Sequence, residues 1–136
     1  MAIEIGVQYK GQLRCEATRQ KTGKTVLTDV GADHGGQDDY FSPVDLAGAA
    51  LGTCAMSMIA LVAERDGLDV SSMRTSVQLE MVTSPARRIG SANVTVTLPK
   101  AIPDSVRPKL QAAANACPVK NSLHPDIQIR LEFVYV

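Results

Sequence analysis

The side chains in this sequence best suited to chemistry are three cysteines, Cys15, Cys54 and Cys117. An odd number of thiols does not make a disulfide framework. The start, Met1-Ala2-Ile3-Glu4-Ile5, has no basic stretch followed by an apolar one, so no export signal is visible and reduced cysteines in the cytoplasm are expected. Their roles reduce to packing, metal binding or redox chemistry. No Cys-x-x-Cys pair occurs, which removes the usual signature of zinc or thioredoxin-type sites. His34 and His124 sit in Asp33-His34-Gly35 and Leu123-His124-Pro125, and joining them to Asp38 or Asp39 gives no recognised ligand spacing, so neither a metal nor another cofactor is expected. Cys15 alternates with Leu13 and Ala17 along a strand pattern and reads as packing.

The elements that must position Cys54 and Cys117 read as helices. Ser42-Pro43-Val44-Asp45 opens the first, with serine as cap, proline at the first helical position and an acid at the third, and Asp66-Gly67 closes it. No charged residue lies between Leu46 and Ala63, a stretch at the lower edge of what spans a bilayer. Its glycine, alanine, serine and threonine content, without aromatic belts, favours a buried helix over a membrane span. Gly48-Ala49-Ala50-Leu51-Gly52 is a small-residue spacing that suits two helices crossing closely at the centre of a dimer, so a folded monomer is not expected. A second helix is predicted from about Pro103, with Val106, Leu110, Ala113, Ala114 and Cys117 on one face and Pro118 as its stop.

Cys54 then lies about three turns into its helix, and Cys117 occupies a last turn, whose negative end disfavours a thiolate. If the two pair, Cys54 is the attacking thiol and Cys117 the resolving one. Free cysteines on apolar helix faces are also ordinary core residues, and spacing alone leaves both readings open.

Strand periodicity fills the rest. Ile3, Ile5, Val7 and Tyr9, then Leu13, Cys15 and Ala17, then 25–28 form a meander with its first turn at Lys10-Gly11. Residues 31–40 read as a loop. Residues 75–83 and 92–98 form a hairpin, and 127–136 closes a sheet. The order βββ-α-ββ-α-β defines an α+β fold, expected as a single domain over 1–136 with antiparallel sheets around the helices. Fourteen basic and fourteen acidic residues cancel without a charge run, so nucleic acid is not an expected partner.

Ser42-Pro43-Val44-Asp45-Leu46, Ala50-Leu51-Gly52-Thr53-Cys54, Ala63-Glu64-Arg65-Asp66-Gly67-Leu68 and Ala116-Cys117-Pro118-Val119 together resemble the OsmC/Ohr family. The resemblance implies an intertwined homodimer with two sites at the subunit interface. It further implies that Cys54 attacks an organic hydroperoxide, that the sulfenic acid is resolved by Cys117, and that a dithiol of lipoyl type reduces the disulfide. One departure stands out: peroxidatic members have glutamate directly after the proline, where this chain has Val44, with Asp45 one position on. As third helical residue, Asp45 has a sufficient role as a capping acid. For the family's thiolate-holding arginine, Arg19 is the nearest candidate by location and Arg14 the next, whereas Arg87 and Arg88 have no motif support. The competing reading is a non-catalytic small-ligand-binding protein whose cysteines are packing.

Overall fold

Alternation at the N terminus becomes a three-stranded antiparallel meander of β1 (Ile5–Gly11), β2 (Arg14–Arg19) and β3 (Thr25–Thr28), in that order across the sheet. The computed structural model describes residues 1–136, which divide into two compact units, Met1–Ala47 and Gly48–Val136.

In the first unit, register places Val7 opposite Ala17 and Ala17 opposite Val26, so Ile5, Val7, Tyr9, Ala17 and Val26 share one face. Ile5, Val7 and Tyr9 are 62%, 67% and 63% exposed, which makes this an uncovered apolar surface. The first turn falls later than the sequence suggests. Gln12 (φ 56°) and Leu13 (φ 65°) take left-handed backbone, the geometry of a two-residue hairpin turn that Asn-Gly usually fills. Gly11 (φ 85°) sits at a register shift just before it, and the Leu13 amide donates to the Tyr9 hydroxyl at 3.1 Å. Residues 31–40, read as a loop, carry one 3-10 turn at Ala32–His34, and Phe41 just after them bridges back to Thr28.

The long helix α1 spans Pro43–Arg65. Its start follows the capping-box logic: the Asp45 amide donates to Ser42 Oγ at 3.0 Å, and the Ser42 amide donates to Asp45 Oδ2 at 2.9 Å. Its end is a Schellman turn, with Gly67 at φ 67° and the Leu68 amide reaching back to the Ala63 carbonyl at 2.8 Å. Hydropathy and length would also allow this helix to cross a membrane. One stripe of it, Leu51, Ala55, Ile59 and Ala63, instead forms the core of the second unit, while Ala50, Thr53, Ser57 and Leu61 on the opposite side are exposed.

That core is completed by a sheet of β4 (Arg74–Val82), β5 (Arg88–Leu98) and β6 (Gln128–Tyr135), with β5 central. Ala92, Val94, Val96 and Leu98 alternate inward from β5. Gly48 and Gly52 face β4: a Cβ on Gly48 would stand 3.0 Å from Leu79 Cδ1, and one on Gly52 would stand 2.8 Å from Val77 Cγ2. The close approach that these glycines permit is therefore to a strand of the same unit, not to a crossing helix. The β4–β5 pair is antiparallel, but β5 and β6 run parallel because the chain between them crosses over through helices. The expectation of antiparallel pairing throughout fails at this one pair.

The predicted second helix, from about Pro103 to Cys117, ends at Asn115, and a helix that was not expected follows it. A 3-10 turn at Asp104–Val106 leads into α2 (Arg107–Asn115), and a separate short helix, α3, spans Pro118–Ser122. Pro118 starts a helix rather than stopping one, since a missing amide costs nothing at a first helical position.

Candidate active site

Cys54 is carried by α1 on the flank of its buried stripe, between Leu51 and Ala55, and is half-buried. Eleven positions from Pro43, it is some three turns beyond the helix start and gains nothing from that end's amides. Cys117 sits at the junction of α2 and α3, 1% exposed, within the same cluster as Leu51, Leu110 and Ala114. Both sulfurs are free thiols, and they are near enough for Cys54 to act on the Cys117 thiol. The sequence pair meets inside one unit.

The surroundings of Cys117 differ from those expected. It is the cap of α3, not the last turn of α2, and its Sγ accepts the Lys120 amide at 3.3 Å. The helix-end argument for a protonated Cys117 therefore has the wrong sign, because these amides favour the anion. Burial is the stronger influence and pushes the thiol up from its ordinary value, with the hydrogen bond and charge of Cys54 adding to it, against the opposing amides of Lys120 and Val119. Cys117 is thus held toward its protonated form.

Tight turns on both sides fix this geometry. The Ala116 amide bonds the Ala112 and Ala113 carbonyls, and the Cys117 amide bonds Ala114 at 3.3 Å, so α2 closes directly before the cysteine. Lys120 Nζ donates to Asn115 Oδ1 at 3.0 Å, bracing α3 against the end of α2. Lys109 joins Asp66 at 2.8 Å, tying α2 to the end of α1.

The first unit holds a second concentration of chemistry, around Asp29, a residue that sequence reasoning missed. Asp29 is 1% exposed. Its Oδ1 accepts the Val30 amide at 2.8 Å and its Oδ2 the Asp39 amide at 3.2 Å, while Arg14 Nε stands 3.6 Å from Oδ2. Arg14 also pairs with Asp39, donates to Gln37 Oε1 at 2.9 Å and lies over the Tyr40 ring. Burial would push the Asp29 carboxyl up; the amides of Asp39 and Val30, then the Arg14 charge and the Gln37 amide, outweigh it and hold the group below the ordinary aspartate value. The only sequence hint was its position, one residue past β3 and ten before Asp39 in a loop rich in aspartate.

Of the other candidates, Arg19 is exposed at the end of β2, opposite Ile5, and forms no ion pair. Asp45 is exposed and engaged with Ser42 as a cap. Arg88 donates to its neighbour's carbonyl, that of Ile89, at 3.4 Å, and Arg87 is exposed. His34 and His124 stand beside Asp33 and Asp126 at 3.6 and 3.8 Å, and no group of three ligating side chains forms. Cys15 lies on the apolar face of the meander, opposite Tyr9.

Residues 36–132 match the family described as OsmC-like protein. A comparison with curated proteins finds no significant match. Among solved structures, a Psychrobacter arcticus 273-4 protein, provisionally described as an osmotic stress induced and detoxification response protein, is 28% identical, with a TM-score of 0.89 over 95% of this chain and 93% of that one. An OsmC-like protein from Mycoplasma pneumoniae (13% identity, TM-score 0.84, 100% and 98% covered) shares the fold. So does an organic hydroperoxide resistance protein OsmC from Legionella pneumophila (14% identity, TM-score 0.77, 98% and 97% covered).

Proposed function

Because the chain belongs to the OsmC-like protein family, we propose that it is a thiol-dependent reductase of organic hydroperoxides in which Cys54 attacks and Cys117 resolves. The observation that carries this reading is that one half-buried and one buried free thiol stand as neighbours in one core. The class of oxidant follows the name of the Legionella relative.

Three steps balance the cycle. The Cys54 thiolate attacks the terminal oxygen of the hydroperoxide and breaks the O–O bond, giving a sulfenic acid and an alkoxide that takes up a proton and leaves as the alcohol. The Cys117 thiol condenses with that sulfenic acid, forming the Sγ–Sγ bond and releasing water. A dithiol then returns two electrons by exchange and departs as its own disulfide. Burial suits Cys117 to the second step: it keeps the resolving sulfur out of reach of peroxide while holding it against Cys54.

The working unit in this proposal is a cytoplasmic homodimer. One chain exposes the apolar face of Ile5, Val7 and Tyr9 and the uncharged outer stripe of α1. A second copy covering both accounts for them, and sedimentation at micromolar concentration is expected to give a dimer, with a folded monomer contradicting this.

A second reading, a non-catalytic binder of small ligands, draws on Val44, a half-buried apolar side chain at the place where peroxidatic relatives carry glutamate. Titration with cumene hydroperoxide separates the two. The enzyme reading expects loss of two thiols per chain, abolished by Cys54→Ser; unchanged thiols at excess peroxide would leave the binder.

A further inference from the structure

The two sulfurs of the pair are not equivalent to a molecule arriving from solvent. Cys117 is 1% exposed in a single chain, enclosed by the core cluster that includes Leu51, Leu110 and Ala114, and association with any partner removes surface and never adds it. In the same single chain Cys54 keeps part of its surface on the flank of α1. Thiol exchange needs the incoming thiolate to approach the attacked sulfur along the line of the S–S bond, which a sealed sulfur does not permit. The departing sulfur, by contrast, needs only a place to hold its charge while it separates.

From these positions we infer, resting on the disulfide cycle proposed above, that the reductant attacks Cys54 Sγ, expelling Cys117 toward the Lys120 amide, so that the protein is reduced through a mixed disulfide on Cys54 alone. In this step the reductant thiolate forms a bond to Cys54 Sγ as the Sγ–Sγ bond breaks. The electron pair stays on Cys117, which already accepts the Lys120 amide at 3.3 Å and then takes up a proton, the form that its burial favours. A second thiol on the same reductant attacks the reductant's own sulfur in the mixed disulfide. Cys54 leaves as thiolate, and a cyclic disulfide departs.

Two effects compete over which sulfur is attacked. Burial makes Cys117 the poorer leaving group, which by itself would favour attack on Cys117 with Cys54 departing. Leaving-group strength tunes an exchange rate gradually, however, whereas an unreachable sulfur removes the competing route altogether, so accessibility decides. The same geometry selects the reductant. After attack by a monothiol, Cys117 still stands against Cys54 and expels the newcomer, re-forming the original disulfide. A dithiol escapes this reversal because its second thiol is tethered at high effective concentration.

The test uses the full chain in a Cys15→Ser background, oxidised with diamide so that peroxide chemistry plays no part. Glutathione is added, the reaction is quenched in acid within seconds, free thiols are alkylated and peptides are weighed. The glutathione adduct is expected on Cys54 with at least about a tenfold excess over Cys117. A companion measurement does not depend on that adduct accumulating: the reduced Cys54 thiol (in Cys117→Ser) and the reduced Cys117 thiol (in Cys54→Ser) are each labelled with dithionitrobenzoate. Labelling of Cys117 is expected to be slower by more than about tenfold. An adduct mainly on Cys117, or labelling rates within about tenfold of each other, overturns the inference while leaving the disulfide cycle intact. Diamide treatment that yields no Cys54–Cys117 disulfide overturns the cycle itself, and this step with it.

Discussion

Two titratable groups are buried in this chain, and the two units bury them by opposite means. Asp29, in the first unit, is surrounded by two amide donors and Arg14, and Arg14 is in turn held by Asp39, Gln37 and Tyr40. Cys117, in the second, has one amide and another thiol, and otherwise only hydrocarbon. A buried carboxylate must be given hydrogen bonds and a countercharge, or it loses its charge. A thiol is content in an apolar site as long as it keeps its proton. The first arrangement therefore fixes an anion in place, and the second suppresses one.

The largest effect that would sharpen this contrast is expected from the hydrocarbon side. Leu51→Ala removes a fully buried side chain from the core around Cys117 and should cost about 2–5 kcal/mol in urea denaturation. A loss well under that range would mean that the second unit is not organised by its apolar packing. On the polar side, Asp29→Leu orphans the Val30 and Asp39 amides together, whereas Arg14→Leu leaves Asp29 with both. Asp29→Leu is expected to lower the melting temperature by about twice as much or more. Equal effects would show that the charge pair, and not the amide bonds, holds the loop.

The smallest effects lie in the pH limbs, and they have opposite signs. Asp29 binds its proton more weakly when folded, so its contribution is present above the unfolded value of 3.8 and is lost as pH falls through the lower folded value. Cys117 binds its proton more tightly when folded, so its contribution is present below the unfolded value of 9.0 and is lost as pH rises through the higher folded value. Melting curves across pH should show the acid limb flattened by Asp29→Asn and the alkaline limb flattened by Cys117→Ala. Exchange of these two outcomes would reverse the comparison.

Much of the architecture was legible because its signals are local. Ser42, Pro43 and Asp45 act within one helical turn, Gly67 ends α1 by its own backbone conformation, and strand alternation needs no partner to be visible. The order βββ-α-ββ-α-β and the choice of Cys54 and Cys117 as the residues to watch both came from such patterns. Where reading failed, a local signal was ambiguous between two contexts. Pro118 is equally at home after a helix and at the first position of another. A Gly-x-x-x-Gly spacing states that something approaches closely, but not whether it is a helix or the Val77 and Leu79 side chains of β4.

The sequence by itself determined which segments become helix or strand, which residue types could react, and the family to which the chain compares. Only the tertiary structure decided that Cys54 and Cys117 are neighbours, that one is buried and the other half-exposed in the chain, and that Asp29 is buried among groups that favour its anion. The physical reason is that propensity, capping and periodicity act over a few residues. Burial and the meeting of distant side chains are properties of the packed whole, set by how α1, α2 and β5 close around a common core.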